Sequence, residues 1–313
     1  MADVQLYVGE TLARYGFPKG HPLGVDRLGA FWSAAQMQNL HRKARIIDPV
    51  VAAPEAIARF HALDYIRRVQ KQSVSGSGLL DRGDTPAFEG CFEAASYVVG
   101  STLDALAAIM DGRCQRAFVP IAGLHHARRE SAGGFCIFND CGVVIKTLQS
   151  SYGLKRVAYI DIDAHHGDGV YYAFESDPGV VIADIHESGR FLYPGTGSSN
   201  EIGIGPAQHT KLNIEMNPGA TDQEFLTRWP QVLELLEKFP PEFILLQCGA
   251  DAVGGDPLTH LNYSPQAYSH AARSLVEVAE RRCGGRLLAV GGGGYNLANI
   301  GAAWTAVVHE ILA

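Results

Sequence analysis

The chain of 313 residues predicts an α/β fold around a parallel β-sheet, on three observations. Six short apolar runs, RAFVPI, RVAYIDID, GVVIADIH, TKLNIEM, EFILLQCG and RLLAVGG, suit strands that are covered on both faces. Amphipathic stretches long enough for crossover helices lie between most of them, giving a repeated β-α-β pattern. No Pro/Gly linker or fixed-period repeat divides the chain, and apolar (47%) and charged (19%) residues are near the globular average, which excludes general disorder.

The first third reads as mainly helical. Residues 26–43 carry Leu28, Phe31, Trp32, Ala35 and Leu40 near the 3.6-residue period. Pro54 opens a second helical stretch with Ile57, Phe60, Leu63, Tyr65 and Ile66. The polar piece SVSGSGLLDRGDTP reads as a surface loop, and residues 90–110 resume an apolar helix. Beyond it, residues 138–150, 221–239 and 264–282 are the expected crossover helices between the β-rich runs.

Composition narrows the function classes. The net charge is −7, so no basic footprint for nucleic acid is present. No apolar run reaches the roughly 18 residues of a membrane helix, and the start, MADVQLYVGE, lacks a leader pattern; a cytoplasmic protein without a membrane partner is expected. The six cysteines include no C-x-x-C pair, so reduced thiols are expected and a metal would be held by histidine and carboxylate. Glycine is enriched, 35 residues or about 11% against an average near 7%.

In open α/β sheets ligands bind beyond the carboxyl ends of the strands. RVAYI leads there into Asp161-Ile-Asp163-Ala-His165-His166-Gly167-Asp168. Alternation puts Asp161, Asp163 and His165 on one side, where two of them can grip one ion; a solvated acidic turn is the plainer reading. EFILLQC leads to Asp251, which alone reads more readily as a cap or turn residue but could complete an Asp/His/Asp site with open positions, as a catalytic zinc requires. RAFVPI leads to His125 and His126, adjacent histidines suited to acid/base work. RLLAV runs into GGGGYN, which matches neither the dinucleotide nor the P-loop pattern; it reads as a turn that projects Tyr295 into a pocket, or as an ordinary tight turn.

The blocks GLHHARRESAGGFCIFND, DIDAHHGDGV, FLYPGTG, CGADAVGGDPL and GGGGYN, in this order and preceded by GHPLGVDRL, closely resemble the histone deacetylase superfamily, including its bacterial acetoin-utilisation and acetylpolyamine-amidohydrolase types. The similarity runs from about Gly20 to about Asn299 and implies a single deacetylase domain, residues 1–313. The implied fold is the three-layer arginase/deacetylase α/β fold, a central, mainly parallel eight-stranded sheet flanked by helices. Matching motif by motif, Asp163, His165 and Asp251 resemble zinc ligands, with iron(II) tolerated by the same set. His125 and His126 resemble the tandem acid/base histidines, Asp161 and Asp168 their carboxylate partners, and Tyr295 the tyrosine that polarises the substrate carbonyl. Gly134, Phe135 and Tyr193 look like walls of an acyl-lysine channel, and Asp84 like the rim aspartate that holds substrate backbone.

Departures sharpen the expectation. An arginase-like site would read Asp-x-His-x-Asp and bind two metals; here the order is Asp-x-Asp-x-His, which favours one. The family's structural potassium site usually takes a serine from the next strand, where Asp184 stands here; a monovalent cation near Asp161 and Asp184 is expected. Leu258 occupies the place where polyamine-selective relatives can carry a gatekeeper glutamate. The resemblance therefore implies a zinc-dependent amidohydrolase that removes acetyl or related acyl groups from lysine side chains of a protein or peptide. Deacetylation of small acylated amines such as acetylpolyamines is the alternative, and a non-catalytic acyl-lysine binding module is a third reading.

Overall fold

A computed structural model describes residues 4–18 and 20–313. Eight strands form one sheet: β1 (Val4–Tyr7), β2 (Arg45–Ile47), β3 (Arg116–Val119), β4 (Val157–Asp161), β5 (Val180–Glu187), β6 (Lys211–Met216), β7 (Phe243–Gln247) and β8 (Leu287–Val290). Their order is β2-β1-β3-β8-β7-β4-β5-β6 and every pairing is parallel. The six apolar runs supply β3 to β8. Pattern reading missed β1 and β2: β1 has only four residues within the opening segment, of which Met1–Asp3 lie outside the described residues, and the RII of β2 is largely exposed.

The helices are α1 (Glu10–Ala13), α2 (Arg27–Met37), α3 (Pro54–Ile57), α4 (Leu63–Ser75), α5 (Cys91–Met110), α6 (Asp140–Ser150), α7 (Asp168–Phe174), α8 (Asp222–Arg228), α9 (Pro230–Lys238), α10 (Pro265–Arg282) and α11 (Leu297–Ile311). Helices α10, α11 and α2 pack together, and α10 and α11 reach β3, β7 and β8. On the other side α5 lies on β3 and β8, with α4 and α6 beside it. Strands β4, β7 and β8 are wholly buried between these layers, as their unbroken apolar sequences require. Trp304 of α11 locks one layer to the sheet, edge-on to Phe31 of α2 and Phe118 of β3 at 6.0 and 6.1 Å.

Three helical stretches are interrupted where local chemistry overrides the apolar period. Asn39 adopts a left-handed backbone (φ 57°) and ends α2, leaving a separate 3-10 turn at Leu40–Arg42. The stretch opened by Pro54 breaks after Ile57, and α4 starts afresh at Leu63. Residues 221–239 form two helices because Pro230 starts α9 directly after Trp229, the last cap of α8.

Chain order and spatial order diverge at one place that matters. Strands β3 and β4 are consecutive in sequence, yet β8 and β7 lie between them. The chain fills that gap only on its way back, so the connections from the neighbours β4 (to β5) and β7 (to β8) leave in opposite directions, which makes the kind of crevice in which open α/β sheets bind ligands. The loops leaving β3, β8, β7 and β4 are thus next to one another.

Candidate active site

Asp163 and His165 follow β4, and Asp251 follows β7. One ligand atom from each lies within 4.8 Å of the others, and all three side chains are buried. The His165 Nδ1 is 3.1 Å from both Asp163 Oδ1 and Asp251 Oδ2. Strand alternation does not produce this cluster: β4 ends at Asp161, and Asp163 and His165 come from the loop beyond it. Asp161 turns the other way, toward His125. The donor set fits a divalent cation. Burial and the charge of Asp163 push the Asp251 carboxyl well up, an electrostatic conflict that a bound cation would relieve. One imidazole and two carboxylates also leave coordination positions open.

Two of the glycines are required by this cluster. A Cβ at Gly249 would collide with the Asp163 carboxylate, and one at Gly293 with the Asp251 carboxylate. Backbone passes so close to the cluster that only glycine fits.

Two histidine–carboxylate dyads stand beside the cluster. His125 Nδ1 donates to Asp161 Oδ2 at 2.7 Å, an oxygen that also accepts from the Tyr159 hydroxyl at 2.5 Å. His126 Nδ1 donates to Asp168 Oδ1 at 2.8 Å, at the first residue of α7. The two Nε2 atoms are 3.1 Å apart, so one of them must carry a proton and the other a lone pair. Their environments decide which. Burial works against charge on His125, but Asp161 and Asp163 outweigh it and hold its pKa well above the usual histidine value. Burial and the neighbouring His125 charge push His126 down to about 4. These surroundings favour the proton of the shared contact on His125 and the lone pair on His126. Burial pushes Asp168 up, yet its bonds from His126 and Arg128 leave it down at about 2.

Tyr295 follows the glycines after β8. Its amide donates to Asp256 Oδ2 at 2.9 Å, and burial together with Asp251 and Asp163 raises its hydroxyl pKa far above normal, so it remains a proton donor. It lines a small hollow with Leu23, Leu124, His126 and Cys136, directly beside the metal-ligand candidates. The Phe135 ring is 5.9 Å from the Tyr295 ring, and the Tyr193 ring is 5.0 Å from His126. A Cβ at Gly134 would meet His126 and Tyr193, which places that glycine between the two walls. Asp84 and Tyr193 share a larger cleft of about 670 Å³ at the mouth, and the Asp84 carbonyl accepts from His21 Nε2 at 3.2 Å.

Two expected residues stand apart. Leu258 is 36% exposed, and its amide is tied to Asp256 rather than to the metal-ligand candidates. Asp184 pairs with Asp161 in the β4–β5 register, but its oxygens are engaged: one bonds His186 Nδ1 at 2.7 Å and the other accepts from Gly167 N at 2.9 Å. Burial raises the Asp184 pKa, and the charge of His186 more than offsets this.

Several supporting residues escaped sequence reasoning. Gln247 donates to Asp163 Oδ2 at 2.8 Å and accepts from Gly249 N at 2.8 Å, fixing the ligand and the turn below it. Its signal was a lone polar residue closing the run FILLQ. Buried Arg27 donates to the Gly294 carbonyl at 3.0 Å and to the Gly292 carbonyl, holding the glycine turn. Asn139 donates to the carbonyls of His125 (3.1 Å) and Ala127 (2.8 Å), and Asp140 accepts from Gly123 N and Leu124 N, so both histidines sit on a fixed loop.

The arrangement, a divalent-cation donor set beside a proton-sharing histidine pair and a protonated tyrosine, is that of a metal-assisted hydrolase. The histone deacetylase domain family matches residues 21–311. The acetoin utilization protein AcuC of Bacillus subtilis (strain 168) is 38% identical over 308 residues, covering 95% of this chain and 79% of that protein. Histone deacetylase 8 of Xenopus tropicalis is 33% identical, covering 87% and 74%, and histone deacetylase 6 of Arabidopsis thaliana is 33% identical, covering 96% and 64%. The crystal structure of the HDA15 HD domain superposes with a TM-score of 0.92 at 27% identity, covering 99% of this chain and 88% of that one. The chain belongs to the histone deacetylase family. It is a hydrolase acting on amide bonds, and its three-layer α/β fold is that of the family.

Proposed function

We propose that the protein removes acetyl or related acyl groups from lysine side chains, with zinc held by Asp163, His165 and Asp251. The observation that carries this reading is the convergence of that buried donor set with the His125–Asp161 and His126–Asp168 dyads and Tyr295. When bound, the cation supplies Lewis-acid polarisation of the amide carbonyl and lowers the pKa of a water molecule; iron(II) suits the same donors. The chain's own groups do the rest. The Nε2 pair, 3.1 Å apart, can take a proton from the attacking water and return it to the departing amine. Asp161 and Asp168 hold the imidazole orientations that this transfer needs. The Tyr295 hydroxyl donates to the developing oxyanion. Phe135 and Tyr193, with Gly134 between, wall the aliphatic lysine stem, and Asp84 at the mouth holds substrate backbone.

A structural potassium ion near Asp161 and Asp184 belongs to the same reading and rests on their neighbouring places in the β4–β5 register, since hydrogen bonds already engage both carboxylates. Cys91, Cys136, Cys141, Cys248 and Cys283, buried and outside any disulfide, support a cytoplasmic location. A sheet that draws strands from Val4 to Val290 supports a single domain over residues 1–313. No described helix is long and apolar enough to cross a membrane. The decisive experiment measures bound metal and compares kcat/KM for acetyl-, propionyl- and longer acyl-lysine peptides with acetylpolyamines. Turnover of lysine peptides above the amines supports the proposal. Preference for acetylpolyamines selects the small-amine reading, and failure on every substrate by metal-loaded protein overturns the activity.

A further inference from the structure

Lys211, the first residue of edge strand β6, is 2% exposed. Its ammonium makes no ion pair among the described residues. It donates instead to the Asp177 carbonyl at 2.9 Å, to the Val180 carbonyl and to Thr210 Oγ1 at 3.0 Å. The Asp177 carboxylate makes no direct bond to the ammonium and acts on it through space, accepting from Gly179 N at 2.9 Å and Gln149 Nε2 at 2.8 Å. Three N–H bonds therefore meet three oxygens. Only the charged amine satisfies them all, because the Thr210 hydroxyl already donates to the Ala207 carbonyl at 2.7 Å and a neutral amine's lone pair would face an oxygen with no proton to give. Burial pushes the Lys211 pKa down to about 8, which still leaves the ammonium form dominant at neutral pH.

A cluster of oxygens dominated by main-chain carbonyls, without a carboxylate, is the kind of environment that replaces the hydration shell of a monovalent cation. The oxygens come from the turn after α7, from the first residue of β5 and from the residue before β6. We propose that these oxygens form a monovalent-cation cage and that Lys211 is its tethered occupant, pinning the α7–β5 turn to the edge of the sheet. Wild-type protein then needs no free ion at this place, and removing the side chain creates a site for potassium, ammonium or methylammonium.

The test compares melting temperatures of wild type, Lys211→Ala and Lys211→Met at one ionic strength in potassium, ammonium, methylammonium, tetramethylammonium and choline chloride. Subtracting the wild-type response removes any effect of a cation elsewhere. The expected result is that both variants melt several degrees lower in choline. The alanine variant regains most of its loss in potassium, ammonium or methylammonium but not in tetramethylammonium, which has no N–H and is too large. The methionine variant, its cage filled, regains nothing. A cation-independent alanine variant, or a methionine variant as stable as wild type, overturns the proposal. If the alanine variant does not fold in any salt, the wild-type protein decides: a slowly exchanging ¹⁵N ammonium resonance at neutral pH that is lost in Lys211→Arg supports the cage, and its absence overturns it.

Discussion

Tyr295 is the side chain whose removal separates chemistry from architecture most cleanly, because its hydroxyl touches neither the metal-ligand candidates' hydrogen bonds nor the sheet. Tyr295→Phe should retain bound metal and melting temperature while kcat falls about 100- to 1000-fold, the usual cost of one oxyanion donor. Metal analysis beside steady-state kinetics checks both halves. Gly249→Ala should behave in the opposite way. Its methyl group would occupy the space of the Asp163 carboxylate, so metal affinity and turnover fall together, and excess metal restores part of the activity. Asp163, His165, Asp251, the histidine pair and Tyr295 were legible in the sequence because each closes an apolar run with a polar or glycine-rich motif. Gln247, Arg27 and Arg128 were not, since their roles depend on partners up to 267 residues away, such as the Gly294 carbonyl that Arg27 holds. The Asp184–His186 bond was within reach of the pattern, since strand alternation puts residues two apart on one face of β5, but alternation alone does not say that the two side chains bond.

At the scale of elements, the turn between α3 and α4 makes stability depend on pH. His61 is buried there, and its Nε2 accepts the amide proton of Asn139, the residue that caps α6, at 2.8 Å. Burial pushes the His61 pKa down to about 3. Between about pH 3 and pH 6.5 the unfolded chain therefore binds a proton that the folded protein refuses. Stability from this group is complete above about pH 6.5 and is lost as the pH falls through that window, by an amount on the order of a few kcal/mol. Melting temperature should drop from pH 7 to pH 5, and His61→Gln should show a smaller drop. The six apolar runs identified β3 to β8 because burial on both faces leaves an unmistakable pattern. Strands β1 and β2 failed that test, being short or exposed, and the three broken helical stretches kept their apolar period across a break set by Asn39, by the restart at Leu63 or by Pro230.

For the whole molecule, the metal-ligand candidates join the loops after β4 and β7, neighbouring strands in the middle of the sheet. A cation bound there stabilises the folded state by an amount that grows with the logarithm of its free concentration relative to its Kd. Stripping the protein with a chelator should lower its melting temperature, and adding zinc back should restore it, with a larger shift at higher zinc. Asp251→Ala should abolish that response, as calorimetry with and without zinc would show.

The place of β7 and β8 between β3 and β4 also sets an order in time. A ribosome releases β3 and β4 long before the two strands that separate them, so a growing chain has a gap at the centre of its sheet until residues 243–290 emerge. Asp251 and Tyr295 arrive with that last wedge. On the proposed roles of these two residues, a chain that ends before this segment lacks both the third metal-ligand candidate and the tyrosine, however complete its other strands.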